Sequence, residues 1–297
     1  MAGPAGAHSG TTLAANIARA DRKTRLQMLG LTLPALLIVI FFLGIPLAIL
    51  AGFSVYENGV FTLRHYGRMI SDSSYSRSLV LTLEISLLVT VLTAVIGYPV
   101  AYLLSQLKTR MAMVCLTLVL IPFWTSLLVR TYAWLVLLQR QGVVNKALTG
   151  SGLISEPLHL VHNVTGTVIG MLHIMLPFLI LPLYANMRRI DLSLMLAARS
   201  LGATPLYTFW RVYFPLSLPG LTAGVLLVFI LSMGFYITPA ILGGGRTIML
   251  SMLIERNVNL FFEWGAASAV AIVFLLAVLA IFALLGRFLR IDQLVGH

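Results

Sequence analysis

Few residues of this chain carry charge. Of its 297 residues only 10% are Asp, Glu, Lys or Arg, and nine acidic residues stand against twenty basic ones. So low a charge excludes an ordinary soluble domain, in which about 25% of residues are charged. The single cysteine, Cys115, excludes an internal disulfide. The pattern G-x-x-x-x-G-K-[ST] is missing, so the chain has no phosphate loop of its own with which to hydrolyse ATP. Gly243-Gly244-Gly245-Arg246 superficially resembles a phosphate cradle, but it does not sit between a strand and a helix and reads as a flexible turn. No catalytic constellation stands out. The six histidines show metal-like spacing only at His159 and His162, which lie in a loop, and no metal site is expected. There is no internal repeat, low-complexity tract or second soluble domain.

What is present is apolar. Hydrophobic residues make up 59% of the chain and the mean hydropathy is +0.98, which makes it an integral membrane protein. A net charge of +11 raises nucleic-acid binding, but apolar runs separate the basic residues and no basic patch forms, so no nucleic-acid partner is expected. The lipid bilayer is the partner that this composition implies.

Residues 1–28 form a polar, basic tail with Arg19, Arg22, Lys23 and Arg25 just ahead of the first apolar run. That run, about 29–55, exceeds the ~7–15 apolar residues of a signal peptide and reads as an uncleaved membrane helix. Further runs at about 78–104, 111–138, 164–187, 218–242 and 265–289 reach the ~20 residues that a bilayer requires. An all-α protein with six transmembrane helices therefore occupies 29–297, with both termini on one side. That side holds twelve Lys and Arg residues and the other holds seven, which places both termini in the cytoplasm. The outer loops carry Glu57, Asp72, Glu156, Glu255 and Glu263 and are long enough to receive an external partner.

Three ionisable residues fall within spans: Glu84, Arg130 and His173. Each costs ~2.5–3.5 kcal/mol on insertion scales unless it is paired or hydrated. At ~1.5 Å per residue, Glu84 lies about 9 Å and Arg130 about 12 Å from the outer face. Similar depth allows them to meet as an ion pair inside the bundle, or each to snorkel or pair elsewhere. Pro122-Phe123-Trp124-Thr125 interrupts the third span, either for a solute pathway or as an ordinary kink. Tyr132, Trp134, Phe235 and Tyr236 add rings near the same outer level, as interface belt or packing, or as cation–π partners for a passing cation. Glu84, Trp124, Arg130, Tyr132 and Tyr236 are the candidates for a translocation pathway.

The most specific stretch is polar and lies between two apolar runs, at 190–215. Asp191 is placed to cap a short helix, Gly202 to stop it, and Thr204-Pro205 to start a second one that ends at Phe214-Pro215. Leu194, Ala197, Ala198 and Leu201 share one nearly smooth side, which suits either a docked protein or packing on the chain's own bundle.

Leu196-Ala197-Ala198, Gly202, Val212, Phe214 and Pro215 keep the spacing of the cytoplasmic coupling loop in membrane subunits of bacterial ABC importers, which the segment resembles. The family's glutamate is replaced by Leu196, so docking is expected to rest on apolar contact and on Arg199. Gly97-Tyr98-Pro99-Val100-Ala101-Tyr102, the run from Ile121 to Trp134, LPFLILPLY from Leu176 and FFEWGAASA from Phe261 resemble the spermidine/putrescine branch. The resemblance implies a type I ABC importer permease fold with a coupling helix built from Leu196, Ala197, Ala198, Arg199, Gly202 and Pro215. It implies a multi-pass protein of the bacterial inner membrane, paired with a second, homologous permease. Two ATP-binding subunits, which hold ATP and Mg, and a periplasmic substrate-binding protein complete the assembly. This chain then needs no cofactor and is not an enzyme. The solute implied is a polyamine or related cation; the alternatives are an amino-acid derivative, an opine or a phosphonate. A self-contained secondary transporter is a rival class, which should show inverted repeats and a midplane ion site.

Overall fold

The structure is a computed structural model that describes residues 30, 32–57 and 59–288, with side chains to 284. The basic tail, with Arg19, Arg22, Lys23 and Arg25, and the residues from 289 onward lie outside the described residues.

Among the described residues five helices are long and apolar enough to cross a membrane: α1 (Thr32–Val55), α3 (Ser73–Gln106), α7 (Val164–Met187), α9 (Pro205–Met233) and α12 (Trp264–Phe288). A sixth crossing requires the pair α4 (Thr109–Leu120) and α5 (Leu127–Leu138) to act as one span. The segments Thr109–Trp124 and Leu127–Gly150, which contain them, are bent by 95°. Shorter helices complete the outer and inner faces: α2 (Arg64–Ser71), α6 (Val143–Gly150), α8 (Leu192–Ser200), α10 (Ile237–Leu242) and α11 (Leu250–Asn259). The only strands among the described residues form a two-residue hairpin, with Tyr56 opposite Phe61 and Glu57 opposite Val60.

Polar caps start the spans where an apolar run alone gives no boundary. Asp72 accepts the Ser74 N–H at 2.8 Å, and Asn163 accepts the Gly166 N–H at 2.9 Å. Hydrogen bonding to Ser74 holds the Asp72 carboxyl below its ordinary 3.8. α3 therefore begins at Ser73, ahead of the apolar run, and runs through Pro99 to Gln106.

The core is where α3, α7 and α9 pack together, built on Ile85, Val89, Met175, Leu179, Leu183, Tyr213 and Val228. Gly97 lies at the α3–α7 crossing, where an added Cβ would come 2.5 Å from Leu179 Cδ2 and force that side chain to shift. α1 packs on α12, α10 on α5 and α7, and α11 on α12 and α3. Exposed leucines, valines and phenylalanines cover α1 and the outer faces of α3 and α12. In a membrane these faces meet lipid or another apolar span.

The region after Gly202 differs from the sequence expectation. Thr204-Pro205 does start a helix, but that helix does not end at Phe214-Pro215. It continues through a π-helical turn, Phe209–Tyr213, into the span ending at Met233. Proline lacks an N–H and its ring crowds the carbonyl four residues back; a π-helical turn moves that carbonyl away. The same arrangement occurs in α1, where the π-helical turn Ile40–Gly44 immediately precedes Ile45-Pro46. The expected span 218–242 is correspondingly divided, with α10 set apart from α9 by Gly234 to Tyr236.

Candidate functional site

α8 is built to be free of the bundle. Asp191 accepts the Ser193 N–H at 2.9 Å, which caps the helix and holds its carboxyl below the ordinary 3.8. Gly202 ends it at φ +89°, a conformation open to glycine at little cost. None of its residues is buried. Ile190 and Met195 pack partly against the core, while Leu196 is 63% and Leu201 89% exposed. Ala197 and Arg199 also face outward, as does Pro215. Ala198, Leu201, Gly202, Ala203, Thr204 and Tyr207 line an open hollow of about 460 Å³. Of the two options open to the smooth side, a surface offered to another protein fits this exposure better than one packed on its own bundle.

Away from α8, the break between α4 and α5 is a 3-10 turn, Ile121–Trp124. Its carbonyl at Pro122 accepts both the Thr125 N–H at 3.2 Å and the Thr125 hydroxyl at 2.7 Å, which closes the turn on itself. Trp124 is 87% exposed, and Tyr132 and Tyr236 are exposed as well. Tyr236 immediately precedes α10, which packs on α5, so these two elements lie together. Arg130 is half-buried and its Nε has no hydrogen-bond partner among the described residues. One helical turn further on, Trp134 Nε1 donates to His173 Nδ1 at 3.2 Å. His173, an ionisable residue within a span, is thus tied to Trp134, a contact that residue spacing does not reveal.

The expected meeting of Glu84 with Arg130 does not occur. Among the described residues Arg68 and Glu263 form an ion pair at 2.7 Å and His65 Nε2 lies 3.5 Å from Glu57, both on the side opposite α8. Glu84 is exposed on α3. The buried neighbours Ile85 and Ser86 face the core, and Glu84 points away from it.

The sequence reading also missed the contact between Tyr98 and Tyr102 of α3 and the π-helical turn of α9. Two tyrosines four residues apart lie on one helical face, which was the available signal.

α8 is thus a short exposed helix held off a bundle of apolar spans. Residues 97–290 match the family of binding-protein-dependent transport system inner membrane components. The chain belongs to this family. Family membership makes it an inner-membrane transport permease rather than an enzyme, working with a substrate-binding protein. It is 34% identical over 215 residues to the spermidine/putrescine transport system permease protein PotB of Escherichia coli, covering 72% of this chain and 78% of that one. It is 33% identical over 241 residues to PotB of Haemophilus influenzae, covering 79% and 84%. The fold is similar to that of a bacterial ABC transporter that imports the acidic polysaccharide alginate. That match has a TM-score of 0.72 at 17% identity and covers 92% of this chain and 98% of that one. The likeness fixes the type I permease fold and carries nothing about solute.

Proposed function

We propose that this permease carries a polyamine, such as spermidine or putrescine, inward across the membrane by alternating access, driven by ATPase subunits that dock on α8. The capped, exposed α8 with its adjoining hollow is the observation that carries the docking. The identity to two PotB proteins supports the solute class. Two ATP-binding subunits hold ATP and Mg, a second, homologous permease completes the pore, and a periplasmic binding protein delivers the solute. Both termini lie in the cytoplasm with α8.

Glu84, Trp124, Tyr132 and Tyr236 suit such a solute, since a polycation is attracted by a carboxylate and by the faces of aromatic rings. All four are exposed in the single chain and so available to a shared pathway. Arg130 is the opposing element and restricts where a polycation passes. Because Leu196 stands where related coupling loops have glutamate, α8 meets its partner through apolar contact with Arg199 alongside.

The test is to express the chain with the second permease and the ATPase, purify through a tag on this chain, and reconstitute the complex with its delivery protein. ATPase retention and ATP-dependent uptake of labelled spermidine are expected. A chain that transports with no nucleotide-binding partner sinks the importer reading. ATP-driven uptake of other solutes, with spermidine excluded, sinks only the polyamine assignment.

A further inference from the structure

The motif Gly97-Tyr98-Pro99-Val100-Ala101-Tyr102 plays no part in docking or in the pathway, yet it meets the coupling segment from two directions. Tyr98 OH and Ser217 Oγ are 2.9 Å apart, as are Tyr213 OH and Ser105 Oγ. The direction of both bonds follows from the serines. Ser217 Oγ donates its one hydrogen to Phe214 O at 2.8 Å, and Ser105 Oγ donates its own to Tyr102 O at 2.7 Å. Each tyrosine is therefore the donor. A tyrosine of α3 bonds a serine of α9, and a tyrosine of α9 bonds a serine of α3. Around them Tyr102 packs edge-on against Phe209 at 5.5 Å and Tyr213 at 5.2 Å, and Tyr98 against Phe209 at 6.2 Å. Tyr213 is fully buried.

The other end of the coupling segment returns to the same place. Arg188, just ahead of α8, donates to Ser105 O at 3.3 Å, Leu107 O at 3.4 Å and Thr109 Oγ1 at 3.1 Å. α8 itself has no buried residue; half-buried Met195, and Ile190 just ahead of the helix, pack against the core. The segment is thus gripped before and after by the cytoplasmic end of α3. Rings alone would permit sliding, whereas buried hydroxyls cost free energy unless their partners stay in place. The latch also spans Phe209–Tyr213, the π-helical turn, where helical register is most easily shifted.

We propose that this reciprocal tyrosine–serine latch positions the coupling segment on α3, so that a displacement of α8 by the ATPase moves α3 rather than being absorbed in the π-helical turn. Tyr98, Tyr213, Ser105 and Ser217 are positioning residues, and the inference rests on the importer reading above.

The experiment uses the reconstituted importer with Tyr98→Phe, Tyr213→Phe and the double variant, which keep every ring and remove only the donors. Spermidine is the transport probe. Spin labels at Leu103 of α3 and Leu279 of α12, in a Cys115→Ser background, report α3 movement whatever the solute. The double variant is expected to retain its ATPase and basal ATP hydrolysis, to lose the ATP-dependent distance change, and to move about five-fold less solute per ATP. An unchanged distance response and an unchanged ratio overturn the latch. A fall in complex yield and melting temperature that accounts for the whole loss also overturns it, since the bonds then only stabilise. A wild-type chain that retains no ATPase removes the importer reading and this one with it.

Discussion

Gly202 holds φ +89° in a place where an added Cβ would touch nothing within 4 Å, so backbone strain and bulk are separable there. Gly202→Ala adds only strain, on the order of 1 kcal/mol, and should leave ATPase affinity within a few-fold of wild type in a pull-down titration. Gly202→Trp fills the hollow beside Ala198 and Tyr207 and should abolish docking while membrane insertion is unchanged. Equal losses for both variants would mean that the turn, not the surface, governs docking. Asp191 offers a second contrast. Asparagine caps nearly as well as aspartate and alanine does not, so Asp191→Asn should dock and Asp191→Ala should dock weakly. Because the folded carboxyl lies below 3.8, its contribution is complete above that value and is lost as pH falls through the folded one. Hydrogen exchange at the amides of Leu192 to Leu194 should therefore be insensitive to pH from neutrality down to about 4, apart from the intrinsic rate, with protection lost below. Asp191 and Gly202 were legible in the sequence because capping and positive φ are local properties of one residue type. The separation of Glu84 from Arg130 was not, since residue spacing gives depth along a helix but not the rotation of one helix against another.

α3 shows the same division at the scale of an element. Its apolar length predicted a span, and Asp72 extends it outward by local capping. Its role as the centre of the bundle depends instead on who sits opposite. Gly97 faces Leu179, which is fully buried, so an added side chain there must displace the Leu179 Cδ2 methyl within the core. Gly97→Val should cost about 1–3 kcal/mol through overpacking, read as a lower melting temperature of the detergent-solubilised chain, with Gly97→Ala intermediate. A melting temperature unchanged in the valine variant would show that the α3–α7 crossing is looser than the 2.5 Å approach implies. α7 matched its apolar run from Val164 to Met187 because Asn163 marks its start and the polar Arg188-Arg189 its end. α9 did not match, because Pro215 looks like a stop when i→i−4 helix geometry is assumed, and the π-helical turn before it removes that assumption.

For the whole molecule the open question is which way it faces, and charge decides it unevenly. Among residues 32–284 the side bearing α8 carries Lys108, Arg110, Arg188, Arg189, Arg199 and Arg211, while the opposite side carries Arg64, Arg68, Arg77, Arg140, Lys146, Arg246 and Arg256. These two groups nearly balance, and acidic residues contribute little to orientation. The bias toward a cytoplasmic α8 therefore comes from Arg19, Arg22, Lys23 and Arg25, beside the first span, with Arg287 and Arg290 adding to it. The first helix usually dominates topology. In a Cys115→Ser background, a cysteine at Ser200 should react with a membrane-impermeant maleimide only after cells are opened, and one at Ser155 in intact cells. Replacing Arg19, Arg22, Lys23 and Arg25 by glutamine should produce a population with these reactivities exchanged, and an inverted α8 cannot meet a cytoplasmic ATPase. Import should fall in proportion to the inverted fraction. Labelling of Ser200→Cys from outside in the otherwise native chain would reverse the topology and remove the docking assignment of α8.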